Sequence, residues 1–207
     1  MSISSIEIND LPRGHAAEGV LPAILHRWSP RSFSSREVSP ADLALIFEAA
    51  RWAPSSNNEQ PWRFLVGVRN SSTHSKIASA LAGFNQAWAP QAAVLILGLA
   101  RTKFLRNDRP NSYALYDLGA AVASLCLQAT ALGLHTHQMG GYDQAAARHA
   151  LEIPEEYALG SVIALGYKGE PAQLANEELL KREVAPRERK PLTELVFSSW
   201  GAPADLA

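Results

Sequence analysis

A single cysteine, Cys126, stands in 207 residues, so no disulfide can close within the chain and a reducing, cytoplasmic setting is expected. Charge of neither sign prevails: 19 Lys and Arg face 20 Asp and Glu. That balance argues against the clustered basic face that nucleic acid or an anionic membrane surface requires. No apolar run approaches the ~20 residues that span a bilayer, and the first residues lack the basic, apolar and small-residue succession of a signal peptide. Missing too are a Gly-x-Gly-x-x-Gly after a strand, a phosphate loop ending in Gly-Lys-Ser/Thr, and a Gly-x-Ser-x-Gly elbow. Nor is there an internal repeat, a pair of carboxylates spaced for acid–base work, a nucleophile with its base, or a cluster of metal ligands. A small-molecule partner is expected, with a bound cofactor carrying whatever chemistry occurs.

What is present suits one globular domain. With 47% hydrophobic residues, a chain of this length buries roughly 70% of the surface it exposes unfolded. Residues 1–19 are mixed polar and read as an arm, and 20–207 as a single domain with a C-terminal extension. The centre of interest is Ala53-Pro54-Ser55-Ser56-Asn57-Asn58-Glu59-Gln60-Pro61-Trp62. Two prolines fix the course of a loop dense in hydroxyls and amides, which offers many neutral hydrogen-bonding groups to a large uncharged polar ring. Its composition equally suits an ordinary helix-to-strand connection.

A helix is expected from Val20 to Arg27, running into Arg27-Trp28-Ser29-Pro30-Arg31. Pro30 keeps Ser29 extended, so Arg27, Ser29 and Arg31 project alike, as an anion clamp or a solvated basic turn. Ser39-Pro40-Ala41-Asp42 opens a second helix, with Leu43, Ile46, Phe47 and Ala50 as its apolar stripe. Strands are expected at 63–68, 92–100 and 158–166, the second buried on both faces because its apolar run is continuous. Residues 73–82 and 143–151 have helical spacing. The longest helix, 112–132, is apolar nearly all round and is expected to be central and buried.

Gly133 ends that helix, and the chain passes through His135-Thr136-His137-Gln138-Met139-Gly140-Gly141-Tyr142. Paired glycines let a backbone N–H approach a ligand closely, or simply make a turn. His135 and His137 share a strand face, but with no acidic or thiol partner nearby they read as polar strand ends rather than metal ligands. Residues 168–186 read as charged and irregular. Arg187 and Arg189 repeat the clamp pattern between prolines, or form a solvated charge run. Residues 192–197 read as a final strand or arm.

Taken together, Arg-x-Ser-x-Arg at 27–31, Pro-Ser-Ser-x-Asn-x-Gln-Pro-Trp at 54–62, a long alanine-rich helix, Gly-Leu with a Gly-Gly turn at 133–141, and a late Arg-x-Arg resemble the nitroreductase family of FMN-dependent oxidoreductases. The resemblance implies an α+β fold, with a mostly antiparallel sheet flanked by helices, in an intertwined homodimer holding two FMN sites at its interface. By position it assigns Arg27, Ser29 and Arg31 to the FMN phosphate and ribityl side, Arg187 and Arg189 to the phosphate, and Trp28 to cofactor binding among them. Pro54, Ser55, Ser56, Asn58 and Gln60 belong to the loop lent by the other subunit. Gln138, Met139, Gly140 and Gly141 line the ring, with the Gly140 N–H at flavin N5, and Asn85 contacts the pyrimidine. Trp28 stands where the family more often has Arg or His, and Gln138 where proline is frequent. The implied activity is ping-pong hydride transfer from NADH or NADPH, through flavin N5, to a small electrophile: a nitroaromatic, quinone, enone or aldehyde. The alternatives are a non-enzymatic flavin-binding or regulatory protein, and a dehalogenase or flavin-consuming relative, against which the short 101–112 segment argues.

Overall fold

The computed structural model describes residues 19–174 and 176–206; apart from Gly19, the arm expected over residues 1–19 lies outside them. In chain order the main elements are α1 (Pro22–His26), α2 (Pro40–Arg51), β1 (Trp62–Val68), α3 (Ser72–Ala80), β2 (Val94–Arg101) and α4 (Ala114–Ala131). There follow β3 (His135–Met139), α5 (Gln144–Ala150), β4 (Tyr157–Gly166), α6 (Glu177–Val184), β5 (Phe197–Ser199) and β6 (Ala202–Pro203). The first four strands form one sheet in the order β1-β2-β4-β3, and every pairing is antiparallel. β1 and β3 are therefore opposite edges.

β2 lies inside the sheet and is buried from Val94 to Ala100. Alternate side chains of a strand point to opposite faces. Val94 and Ile96 accordingly join α2 and α4 in one core cluster, while Leu95, Leu97 and Leu99 join Ile77 of α3 and Ala147 of α5 in another. This two-faced burial is what the unbroken apolar run required. α4 reaches the sheet where the register of β2 against β4 shifts, between Leu97 and Leu99. Gly160 makes that approach possible, because a Cβ there would lie 2.6 Å from the Leu118 side chain.

Local signals set the helix ends. Ser39 accepts from the Asp42 N–H at 3.0 Å and Pro40 occupies the first turn of α2; Ile46 and Ala50 are buried, with Leu43 and Phe47 packed against the core. Three expectations need correction. Residues 168–186 are not irregular throughout, since α6 forms there, capped by the Asn176 side chain. Its apolar signal is thin because only Leu179 and Glu183 are buried, while Glu177–Lys181 and Glu178–Arg182 pairs line the exposed side. Residues 192–197 do not form one strand: a single turn at Leu192–Glu194 precedes a small hairpin of β5 and β6. α4 is not buried all round, for Leu115 and Tyr116 are exposed. Among the described residues α4 is the one helix long and apolar enough to cross a bilayer, and half of it is buried within this fold.

Candidate functional site

The clamp begins where α1 stops. Arg27 leaves the helix with extended backbone, and its guanidinium donates to Ser29 Oγ at 3.3 Å. From the far end of the chain, Arg187 donates to the carbonyls of Arg27 at 2.8 Å and Leu25 at 2.6 Å. Together with Trp28, Arg182, Ala185, Pro186 and Arg189, these residues line a cleft of about 230 Å³. Four of the eight lining residues are arginines and none is acidic. Burial, Arg189 and Arg27 all lower the Arg187 pKa, as expected where positive charges gather, although Arg182 is paired with Glu178 at 2.9 Å. Arg187 Nε is also buried without a partner. Such a donor set suits a phosphate monoester, whose oxygens accept from several guanidinium forks at once.

Arg31 departs from Arg27 and Ser29. Its guanidinium lies 3.5 Å from the Arg182 carbonyl, and its side chain lines a separate cavity of about 520 Å³ with Ser32, Arg69 and Trp88. Its backbone is fixed instead, because Glu183 of α6 accepts from the N–H of Arg31 at 2.7 Å and of Ser32 at 3.3 Å. Glu183 is 2% exposed, and burial pushes its carboxyl pKa up while these two N–H groups pull it down. One side chain thus ties the helix that leads into Arg187 to the loop that holds Arg27.

β3 supports the clamp from beneath. Trp28 meets His135 edge-on, with ring centroids 6.2 Å apart, and His137 Nδ1 donates to the Pro30 carbonyl at 2.9 Å. That bond requires the proton on Nδ1. Burial, opposed by the Pro30 bond but reinforced by Arg31 and Arg27, lowers the His137 pKa to about 4, so the ring is neutral near pH 7. The histidines buttress the loop, and no metal-ligand group forms among the described residues. At a rise of about 3.3 Å per residue, His135 to Gly140 covers roughly 16 Å of strand. The clamp therefore lies at one end of β3 and Gly140 and Gly141 at the other.

At that other end, Met139 is buried while Gly140 and Gly141 are exposed. Neither glycine has positive φ. A Cβ on Gly140 would meet nothing within 4 Å, leaving its backbone open to a ligand, whereas one on Gly141 would come 2.7 Å from Asn85 Nδ2. Asn85 uses that space to donate to the Gly141 carbonyl at 3.1 Å. Gln138 turns to the opposite side of the strand, its amide 3.7 Å from Cys126 Sγ.

Pro54, Ser55, Ser56, Asn58 and Gln60 lie elsewhere. Asn57, Asn58 and Gln60 have φ of 53°, 54° and 49°, so half of the six positive-φ non-glycine residues in the described chain fall in this loop. Three bonds hold the strained backbone: Ser55 Oγ accepts from the Gln60 N–H at 3.0 Å, Asp117 of α4 from the Ser56 N–H at 3.0 Å, and Asn58 from the Gln60 amide at 3.1 Å. Strain held in this way clusters at ligand sites. None of these residues lines the arginine cleft. The loop precedes β1 and the ring seat ends β3, on opposite edges of the sheet, three strand spacings or roughly 14 Å apart.

Asp117 and Glu183 were not singled out from sequence, although each left a trace: Asp117 is a charge in an otherwise apolar helix, and Glu183 a carboxylate one turn beyond the single buried leucine of α6.

An antiparallel sheet with helices on both faces, an arginine cleft at one end of its edge strand β3 and a glycine pair at the other fit the nitroreductase type of α+β fold. The nitroreductase family model matches residues 24–89 and 80–167, and the chain belongs to that family. A solved structure described as an oxidoreductase containing FMN superposes with a TM-score of 0.83 at 34% identity, over 89% of this chain and 93% of that one. A provisionally named nitroreductase of Desulfovibrio desulfuricans, solved in complex with FMN, gives 0.71 at 28% identity, over 89% and 98%. An Archaeoglobus fulgidus protein provisionally named NADH dehydrogenase/NAD(P)H nitroreductase is 36% identical over 154 residues, 72% of this chain and 86% of that one.

Proposed function

We propose that the protein is an NAD(P)H-dependent FMN oxidoreductase, working as a homodimer, that reduces small electrophiles such as nitroaromatics, quinones, enones or aldehydes. The observation that carries this reading is the acid-free cleft where Arg27 and Ser29 meet Arg187 and Arg189. FMN is a phosphate monoester, and its solved relatives bind it. When bound, FMN supplies a two-electron carrier between nicotinamide and acceptor.

The chain's part is to bind, orient and polarise. Arg27, Ser29 and Arg189 hold the phosphate, while Arg187 does so in addition to securing the α1 carbonyls. Family resemblance assigns Arg31 to the ring edge where reduction deposits negative charge; Glu183 fixes its backbone, while its side chain lines the neighbouring cavity. Gly140, whose Cβ position is open, offers its N–H, and Asn85 and Gly141 set the turn beside it. No nucleophile or paired acid and base is called for. Because the 54–60 loop sits at the sheet edge remote from the cleft, it serves the flavin of the other subunit. The exposed residues Leu115 and Tyr116 of α4 and Trp200 of the C-terminal hairpin are the surface such a dimer would cover.

Purified protein should be yellow and release FMN rather than FAD, because the cleft offers a phosphate clamp and the solved relatives are described with FMN. Anaerobic mixing with NADH or NADPH should bleach the flavin, and an acceptor panel should restore it. A colourless protein that FMN fails to bind would sink the reading.

A further inference from the structure

The hairpin that follows β2 is built unlike the rest of the chain. Residues 101–109 carry Arg101, Lys103, Arg106 and Arg109 against the single acid Asp108, within a protein of formal net charge −1. The turn is closed by the Phe104 N–H on the Arg109 carbonyl at 2.9 Å and the Asn111 N–H on the Thr102 carbonyl at 2.7 Å. It rests on the outer side of the 54–60 loop. The Arg101 N–H donates to the Pro61 carbonyl at 3.0 Å, and the Leu105 N–H donates to Glu59 Oε1. Lys103 is neutralised by Asp108 at 3.1 Å. Arg106, poised over Phe104 at 5.6 Å, and Arg109 are exposed and make no ion pair among the described residues. Two exposed guanidiniums thus stand three residues apart in a tied hairpin, and neither lines the arginine cleft.

We propose that Arg106 and Arg109 receive the 2′-phosphate of the nicotinamide donor, so that the enzyme selects NADPH over NADH. The inference rests on the FMN oxidoreductase reading, since it takes the 54–60 loop to border a flavin. Nicotinamide must lie over the ring, so the adenosine end of the donor trails out to the mouth of the site, past this loop. NADPH differs from NADH by one phosphate monoester at that end, a group of charge near −2 that matches paired guanidiniums.

The test is calorimetric titration of the FMN-loaded protein with adenosine 2′,5′-bisphosphate and with AMP. The bisphosphate should bind at least tenfold tighter, and more weakly as salt is raised. In Arg106→Ala/Arg109→Ala that preference should fall about tenfold, with flavin content and melting temperature unchanged because both side chains are exposed. In anaerobic reduction the variant should lose a similar factor in kcat/KM for NADPH and less than twofold for NADH. Equal affinity for the two nucleotides in the wild type, or an undiminished preference in the variant, would overturn the proposal. Retained discrimination in a protein whose flavin NADPH cannot reduce would instead overturn the oxidoreductase reading and leave the phosphate subsite standing.

Discussion

Glu183 and Arg31, 152 residues apart in sequence, are joined by a 2.7 Å hydrogen bond from the Arg31 backbone N–H to the Glu183 carboxylate, which also accepts from Ser32. Removing the carboxylate strands two N–H groups in a site that water barely reaches. Each such loss costs about 1–3 kcal/mol, or more where a charged group is involved. Glu183→Ala should therefore lower the unfolding free energy by roughly 2–4 kcal/mol in denaturant titration. It should also weaken FMN binding at a temperature where the variant remains folded. Unchanged affinity would mean that α6 does not position the clamp.

The cleft arginines should separate by role. Arg27→Ala and Arg189→Ala should each weaken FMN by roughly 1.5–3 kcal/mol, the range for hydrogen bonds to charged groups. Arg189 is exposed and, among the described residues, donates only to the Glu188 carbonyl beside it, so its loss should leave the melting temperature alone. Arg187→Ala should reduce both flavin affinity and stability, because it frees the Leu25 and Arg27 carbonyls. Equal melting temperatures for the Arg187 and Arg189 variants would refute this division.

His137 sets a pH dependence. Its pKa falls from 6.5 to about 4 on folding, so the unfolded chain binds the extra proton first and stability is lost as pH drops through that window. At about 1.4 kcal/mol per pH unit, the loss approaches roughly 3 kcal/mol at pH 4. His137→Gln should flatten the wild-type slope of unfolding free energy between pH 6.5 and 4. Identical slopes would show that other groups govern acid stability.

Two chains should make each flavin site. Mixing Ser55→Trp/Asn58→Trp protein, unable to lend its loop, with Arg27→Ala/Arg189→Ala protein, unable to clamp phosphate, and refolding them together gives mixed dimers with one intact site. With about half of the dimers mixed, FMN should recover to roughly a quarter of wild type. No recovery despite mixed dimers shown by mass spectrometry would place loop and clamp in one chain.

Steady-state kinetics should give parallel double-reciprocal lines, since donor and acceptor are proposed to take turns at one flavin face. Intersecting lines would point to a ternary complex and to separate seats for the two.

Much of this was legible in the order of residues. The capping of α2 by Ser39, the two-sided burial of β2 and the amphipathic spacing of α2 are local or periodic, written within a dozen residues and read by counting. Arg27, Ser29, Arg187 and Arg189 were visible as types, because a hydroxyl and basic residues alternating beside prolines suit an anion, but the same pattern suits a solvated basic turn and only the family resemblance chose between them. Sequence could not decide which groups meet. That Glu183 serves the backbone of Arg31, that Asp117 serves Ser56, and that His137 is spent on Pro30 depends on contacts 61 to 152 residues apart, which no periodicity encodes. Arg31 shares its alternation with Arg27 and Ser29 yet lines a different cavity, because the carboxylate that fixes its backbone arrives from α6. The separation of loop from clamp within one chain also belongs to the tertiary structure: sheet order, set by which strands find each other's edges, puts β1, which the loop precedes, and β3, which supports the clamp, on opposite sides.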